Sequence, residues 1–162
     1  LANNFGNLCQ RVTAFALKNC DGVIPKKISF IEEDNYILNK YKDNLDIIRK
    51  KIDEQNINYY INFIVNSLFE ANKYFNDQEP WKKKDDLIRL NTIVFTTLEI
   101  VRKISFLLYP IIPESSLKAL KIFDLQEDDI SLQSIENNEF LIKGKNINKI
   151  DILFNKIEKK ND

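Results

Sequence analysis

The chain has 162 residues, of which 24 are basic and 24 acidic, with no histidine, three glycines and four prolines. That length suits one domain around a single core, and 44% hydrophobic with 30% charged residues is the composition of a folded globule rather than a disordered chain. No apolar run approaches the roughly 20 residues needed to cross a membrane, no secretory signal opens the sequence, and zero net charge offers none of the overall basic excess common in nucleic-acid binders.

The spacing of apolar residues predicts five helices. The first runs from about Leu1 to Asn19, with Leu1, Phe5, Leu8, Val12 and Phe15 as its core stripe. Beside that stripe Asn4, Asn7, Arg11 and Lys18 share a narrow arc, a pattern that periodicity alone assigns to a solvated face. Asp21-Gly22 ends the helix, glycine being free to adopt a left-handed cap. A connecting loop follows, with Ile24, Ile28 and Phe30 as apolar anchors. The second helix spans about Asp34 to Glu54, with Leu38, Tyr41, Leu45, Ile48 and Ile52 in heptad register and Arg49-Lys50-Lys51 suiting its C-terminal dipole.

Gln55-Asn56 links into a third helix whose stripe is Ile57, Ile61, Ile64, Leu68 and Ala71. It closes in Ala71-Asn72-Lys73-Tyr74-Phe75-Asn76-Asp77-Gln78-Glu79-Pro80-Trp81. Asn76 and Asp77 favour a local turn, and Pro80 drives Glu79 out of the right-handed helical region. Trp81, the only tryptophan, therefore stands just past a helix end, where its ring either plugs the bundle or faces a ligand. Lys82-Lys83-Lys84 beside it reads as a solvated run, with phosphate contact as the functional alternative.

The fourth helix reaches about Tyr109, with Leu87, Leu90, Val94, Leu98, Val101, Ser105 and Leu108 facing inward. Pro110 and Pro113 break it, and Glu114-Ser115-Ser116 opens a short fifth helix anchored by Leu117, Leu120 and Phe123. Beyond Asp124 the periodicity weakens. Phe140 to Lys145 reads as a short extended turn, and Asp151-Ile152-Leu153-Phe154-Asn155-Lys156-Ile157 as a tail docking apolar residues on a neighbour. The expected organisation is a single domain over 1–162, with the bundle over about 1–123 and the extended segment and tail over 124–162.

Several chemistries are excluded. Without histidine there is no His-based triad, no imidazole base and no His metal ligand. Cys9 and Cys20 lie eleven residues apart on one predicted helix, roughly 16 Å of rise, beyond the ~7 Å reach of a disulfide. They read as thiols of a reducing cytosol, and two cysteines alone do not complete a structural zinc site. Gly6, Gly22 and Gly144 are too scattered to cradle a phosphate. Neither catalytic nor metal-ligating residues are expected. The chain begins at Leu1 and has no methionine, as a piece of a longer protein would.

Five landmarks in order and spacing resemble the C-terminal anticodon-binding domain of methionyl-tRNA synthetases. They are Leu1-Ala2-Asn3-Asn4-Phe5-Gly6-Asn7-Leu8-Cys9-Gln10-Arg11; Asp21-Gly22; Ala71-Asn72-Lys73-Tyr74 with Glu79-Pro80-Trp81; Tyr109-Pro110-Ile111-Ile112-Pro113; and Leu153-Phe154-Asn155-Lys156-Ile157-Glu158. The resemblance implies an all-α, antiparallel five-helix bundle with an extended C-terminal tail. It also implies a cytoplasmic partner of methionine tRNA that clasps the anticodon loop, while a separate catalytic domain attaches methionine. The HIGH and KMSKS signatures of that domain are absent here, so ATP, and zinc where a member holds it, belong to that domain and no cofactor is expected in this chain.

By the same resemblance Trp81 stacks on the first anticodon base, a cytosine, and Arg11 reads its edge. Asn4 stands where another branch of the family has its arginine, and a further polar reader belongs just before Leu1. Stacking on aromatics and bonding of base edges is how single-stranded RNA loops are recognised. Two other readings remain at this stage: from another class, a helical protein-interaction module using the same aromatic; and the related anticodon domain of another class I synthetase, which would read a different anticodon.

Overall fold

A computed structural model describes residues 2–150 and 153–154. Its helices are α1 (Ala2–Asn19), α2 (Glu32–Asp53), α3 (Ile57–Gln78), α4 (Leu87–Leu108) and α5 (Pro113–Leu120), the five that the apolar spacing predicts. Most of the stripes are where periodicity puts them: Phe5, Leu8 and Val12 on α1, Leu38, Tyr41, Leu45 and Ile48 on α2, and Ile64, Leu68 and Ala71 on α3 are buried. Three end residues depart from the pattern. Ile52, at the end of α2, and Ile57 and Leu87, the first residues of α3 and α4, are exposed.

α4 is the axis of the bundle. Every residue from Thr92 to Leu108 is buried, so its surroundings are protein on all sides, not along the single stripe expected. The buried set includes Glu99, Arg102 and Lys103, and isolated charges there would be prohibitive. They are resolved by mutual pairing and by the chain beyond α5. Arg102 Nε donates to Glu99 Oε2 at 2.8 Å, and its two terminal nitrogens donate to the carbonyls of Ser134 and Asn137 at 3.1 and 2.6 Å. Leu141 N donates to Glu99 Oε1 at 2.7 Å. Phe140 covers the guanidinium, 4.5 Å from its centroid. Lys103 Nζ reaches Asn138 Oδ1 and the Leu38 carbonyl, and burial, with Arg102 beside it, lowers its pKa to about 7.

The segment after Asp124 is therefore a built part of the core's lid. It carries two 3-10 turns, Glu127–Asp129 and Gln133–Glu136, which its weak periodicity did not announce. Residues 144–147 then pair with the α1–α2 loop: Gly144 N to Ile24 O, Ile24 N to Lys145 O and Ile147 N to Gly22 O, at 2.7 to 2.8 Å. Gly144 has φ +85°, a left-handed value that this turn requires. Of the expected docking tail, Leu153 is buried, and Phe154 lies beside Gly6 of α1; residues 151–152 and 155–162 fall outside the described region.

A second buried ion pair joins three helices. Asp34, fully buried, accepts from Ile31 N at 2.9 Å, which starts α2 two residues before the expected Asp34. It also accepts both Arg89 terminal nitrogens, at 2.7 and 3.0 Å, and the Tyr74 hydroxyl. Burial alone would raise the Asp34 pKa; the bonds from Arg89, Ile31 N–H and Tyr74 outweigh it and hold the group below its ordinary value. A carboxyl depressed in the folded state stabilises above its unfolded pKa of ~3.9 and loses that contribution as pH falls through the folded value. Acid titration of the folded chain should therefore show a stability loss below about pH 4. In Asp34→Asn that part of the acid limb should be absent and neutral-pH stability lower, both read from denaturant midpoints against pH.

Candidate nucleic-acid interface

The end of α3 sets the geometry. Gln78 is its last helical residue, and Glu79 takes φ 47°, ψ 58°. A residue before proline is excluded from the right-handed helical basin, and here it turns left-handed where an extended conformation is the common outcome. Asn76 and Asp77, expected to turn, stay helical. Each has a side-chain partner on the helix surface: Arg11 for Asn76 and Lys73 for Asp77. Pro80 opens the 3-10 turn Pro80–Lys82 and is itself buried, pinning the turn against the bundle. Trp81, one residue on, is 40% exposed.

Phe75 organises what stands around it. Trp81 packs T-shaped against it, ring centroids 6.0 Å apart at 66°, and Phe15 of α1 packs on it at 6.0 Å and 85°. The Arg11 guanidinium lies 5.2 Å from the Phe75 centroid, and its Nη2 donates to Asn76 Oδ1 at 2.5 Å. Guanidinium carries five N–H donors. With one terminal nitrogen on Asn76, the others stay open toward the adjoining cleft of about 390 Å³. Arg11, Phe15, Lys18, Phe75, Trp81 and Lys84 line it.

Trp81 and Arg11, far apart in sequence, thus meet on one cleft. Asn4 does not join them. It is exposed on the same face of α1, seven residues or roughly 10 Å of rise before Arg11, and its backbone carbonyl accepts from Asn72 Nδ2 at 3.3 Å. The lysine run divides: Lys82 pairs with Glu79 at 2.8 Å, whereas Lys84 lines the cleft. Sequence reasoning missed Phe75 and Asn76 as site residues, since Phe75 falls four positions after Ala71 and reads as one more core aromatic.

The helical bundle thus presents an arginine and a partly exposed indole over one cleft. The chain superposes on solved structures of Mycobacterium tuberculosis methionyl-tRNA synthetase. For the apo form the TM-score is 0.87 at 30% identity, over 96% of this chain and 32% of that one. The methionyl-adenylate-bound form gives 0.86, over 96% and 31%. The methionine–tRNA ligase of Brucella suis is 37% identical over 129 residues, covering 79% of this chain and 25% of that protein. That of Thermotoga maritima is 28% identical across 99% of this chain. The profile of the family described as the anticodon-binding domain of methionyl-tRNA ligase matches residues 24–162, and the chain belongs to that family. It spans about a quarter of the length of the curated relatives it matches. Trp81 lies within the profile match, Arg11 and Asn4 outside it.

Proposed function

We propose that this chain holds the anticodon loop of methionine tRNA for a catalytic domain in the same polypeptide, which attaches methionine with ATP in the cytoplasm. The first anticodon base, a cytosine, stacks on the exposed part of Trp81, and Arg11 donates to its O2 and N3. Uridine, protonated at N3, accepts less from the same fork. Asn4 lies along α1 where the strand continues past Arg11. What carries this reading is the convergence of Trp81 and Arg11 on Phe75, which fixes both before any ligand arrives.

Arg11→Lys tests it. Lysine keeps the charge but loses the planar fork and the paired hold on Phe75 and Asn76. Affinity for methionine tRNA should fall, and the preference for cytosine over uridine at the first anticodon position should relax, while melting is nearly unchanged because Arg11 is exposed. A preference unaltered by Arg11→Lys in a panel of anticodon variants would count against the role. The 162-residue chain alone should show no methionine-dependent pyrophosphate exchange, since it contains none of the residue sets that such chemistry needs.

A further inference from the structure

Zero net charge conceals a separation of charge over the surface. The cleft at Trp81 shares Asn19 with a second cleft of about 460 Å³, walled by the α1–α2 loop and the start of α4. Arg11, Lys18 and Lys84 line the first and Lys26 and Lys27 the second, against the single carboxylate of Asp21. A groove between α2 and α3, by contrast, is lined by Glu32, Glu33, Glu70 and Asp77 with one lysine, Lys73. Among the described residues, Lys18, Lys26, Lys27 and Lys84 form no ion pair, and neither do Lys42, Lys83, Lys121, Lys145 and Lys149; Lys40, Lys50, Lys51, Lys73, Lys82, Lys118 and Lys143 do.

The loop bearing Lys26 and Lys27 is held at both ends. Residues 22–24 pair with 144–147, and Ser29 N donates to Thr92 Oγ1 of α4 at 2.9 Å. Gly144 gives the Lys26 stem its room: a Cβ there would come within 2.5 Å of Lys26 Cε. Across the cleft, Leu87 offers an apolar surface that is 61% exposed, and the Asn91 amide nitrogen has no partner among the described residues. A fixed loop with two uncommitted ammonium groups, facing an apolar shelf and an amide donor, has the chemistry to take a phosphate with its sugar.

We infer that this second cleft is a contact site for the sugar–phosphate backbone of the same RNA strand, next to the nucleotide at Trp81, with Lys26 and Lys27 on phosphates and Asn91 as donor. This rests on the reading of Trp81 and Arg11 given above. Phosphate contacts position the strand and carry no sequence information, so the two sites separate by experiment.

The test is binding of an RNA hairpin with a CAU loop, and its UAU counterpart, to the full chain across about 50 to 200 mM salt. The variants are Lys26→Ala/Lys27→Ala and, as control, Lys42→Ala/Lys121→Ala, whose lysines lie outside both clefts. Removing one ammonium–phosphate pair from a single strand reduces the slope of log affinity against log salt by about 0.7. The Lys26/Lys27 variant should therefore lose up to about 1.4 in slope, with the CAU-to-UAU ratio kept and the control little changed. An unaltered slope, or one altered equally in the control, overturns the second site while leaving the first intact. A wild-type chain that binds CAU and UAU hairpins equally removes the Trp81–Arg11 reading, and the inference built on it falls too.

Discussion

Trp81→Ala should lower affinity for methionine tRNA about ten- to a hundredfold, the loss of one base–aromatic stack of roughly 1–3 kcal/mol. Trp81→Phe should keep part of that binding, since a smaller ring still offers a π face. The effect on folding should be smaller, of order 1 kcal/mol, because the indole is 40% exposed and its inward contact is an edge-on pair with Phe75. A buried indole would cost ~3–5 kcal/mol on truncation. Melting temperature and tRNA affinity measured on the same two variants separate the cases. A collapse in melting with unaltered affinity of the folded protein would refute the stacking role.

The largest loss of stability should come from Glu99→Ala. It leaves the Arg102 guanidinium buried without its counter-charge and takes the acceptor from Leu141 N. Breaking one side of a buried pair costs about 3–5 kcal/mol, which for a chain of this size is a melting shift of roughly 10 °C. Arg102→Met should be costly as well, because the carbonyls of Ser134 and Asn137 lose their donor. The double variant should lose less than the sum of the two singles, since groups in one network couple. Strict additivity in denaturant midpoints would show that the two charges do not stabilise each other.

These two residues also mark where the sequence was hard to read. Periodicity located all five helices because each must bury a face, and it put Trp81 just outside α3 because a proline so close to a helix end leaves few other conformations. It misread α4 as one-sided. Glu99, Arg102 and Lys103 interrupt the apolar count with charges that are buried in pairs, and hydropathy has no means of recognising a partner 30 or 40 residues on. The same holds for Phe75. That it is aromatic and inward is evident from spacing, but that Arg11 and Trp81 both rest on it depends on how α1 crosses α3. The basic loop was hidden for another reason: a sum over the chain cancels lysines on one face against carboxylates on another.

The pairing of residues 144–147 with the loop before α2 bears on how this domain can be cut and transplanted. A designer counting helices would end a minimal module soon after Phe123. That cut would strand Glu99, Arg102 and Lys103 in the middle of α4 and free one edge of the loop that carries Lys26 and Lys27. The smallest transferable unit therefore runs at least through Ile147, and a chimaera joined upstream of that point would graft the helices without the cover that neutralises their interior.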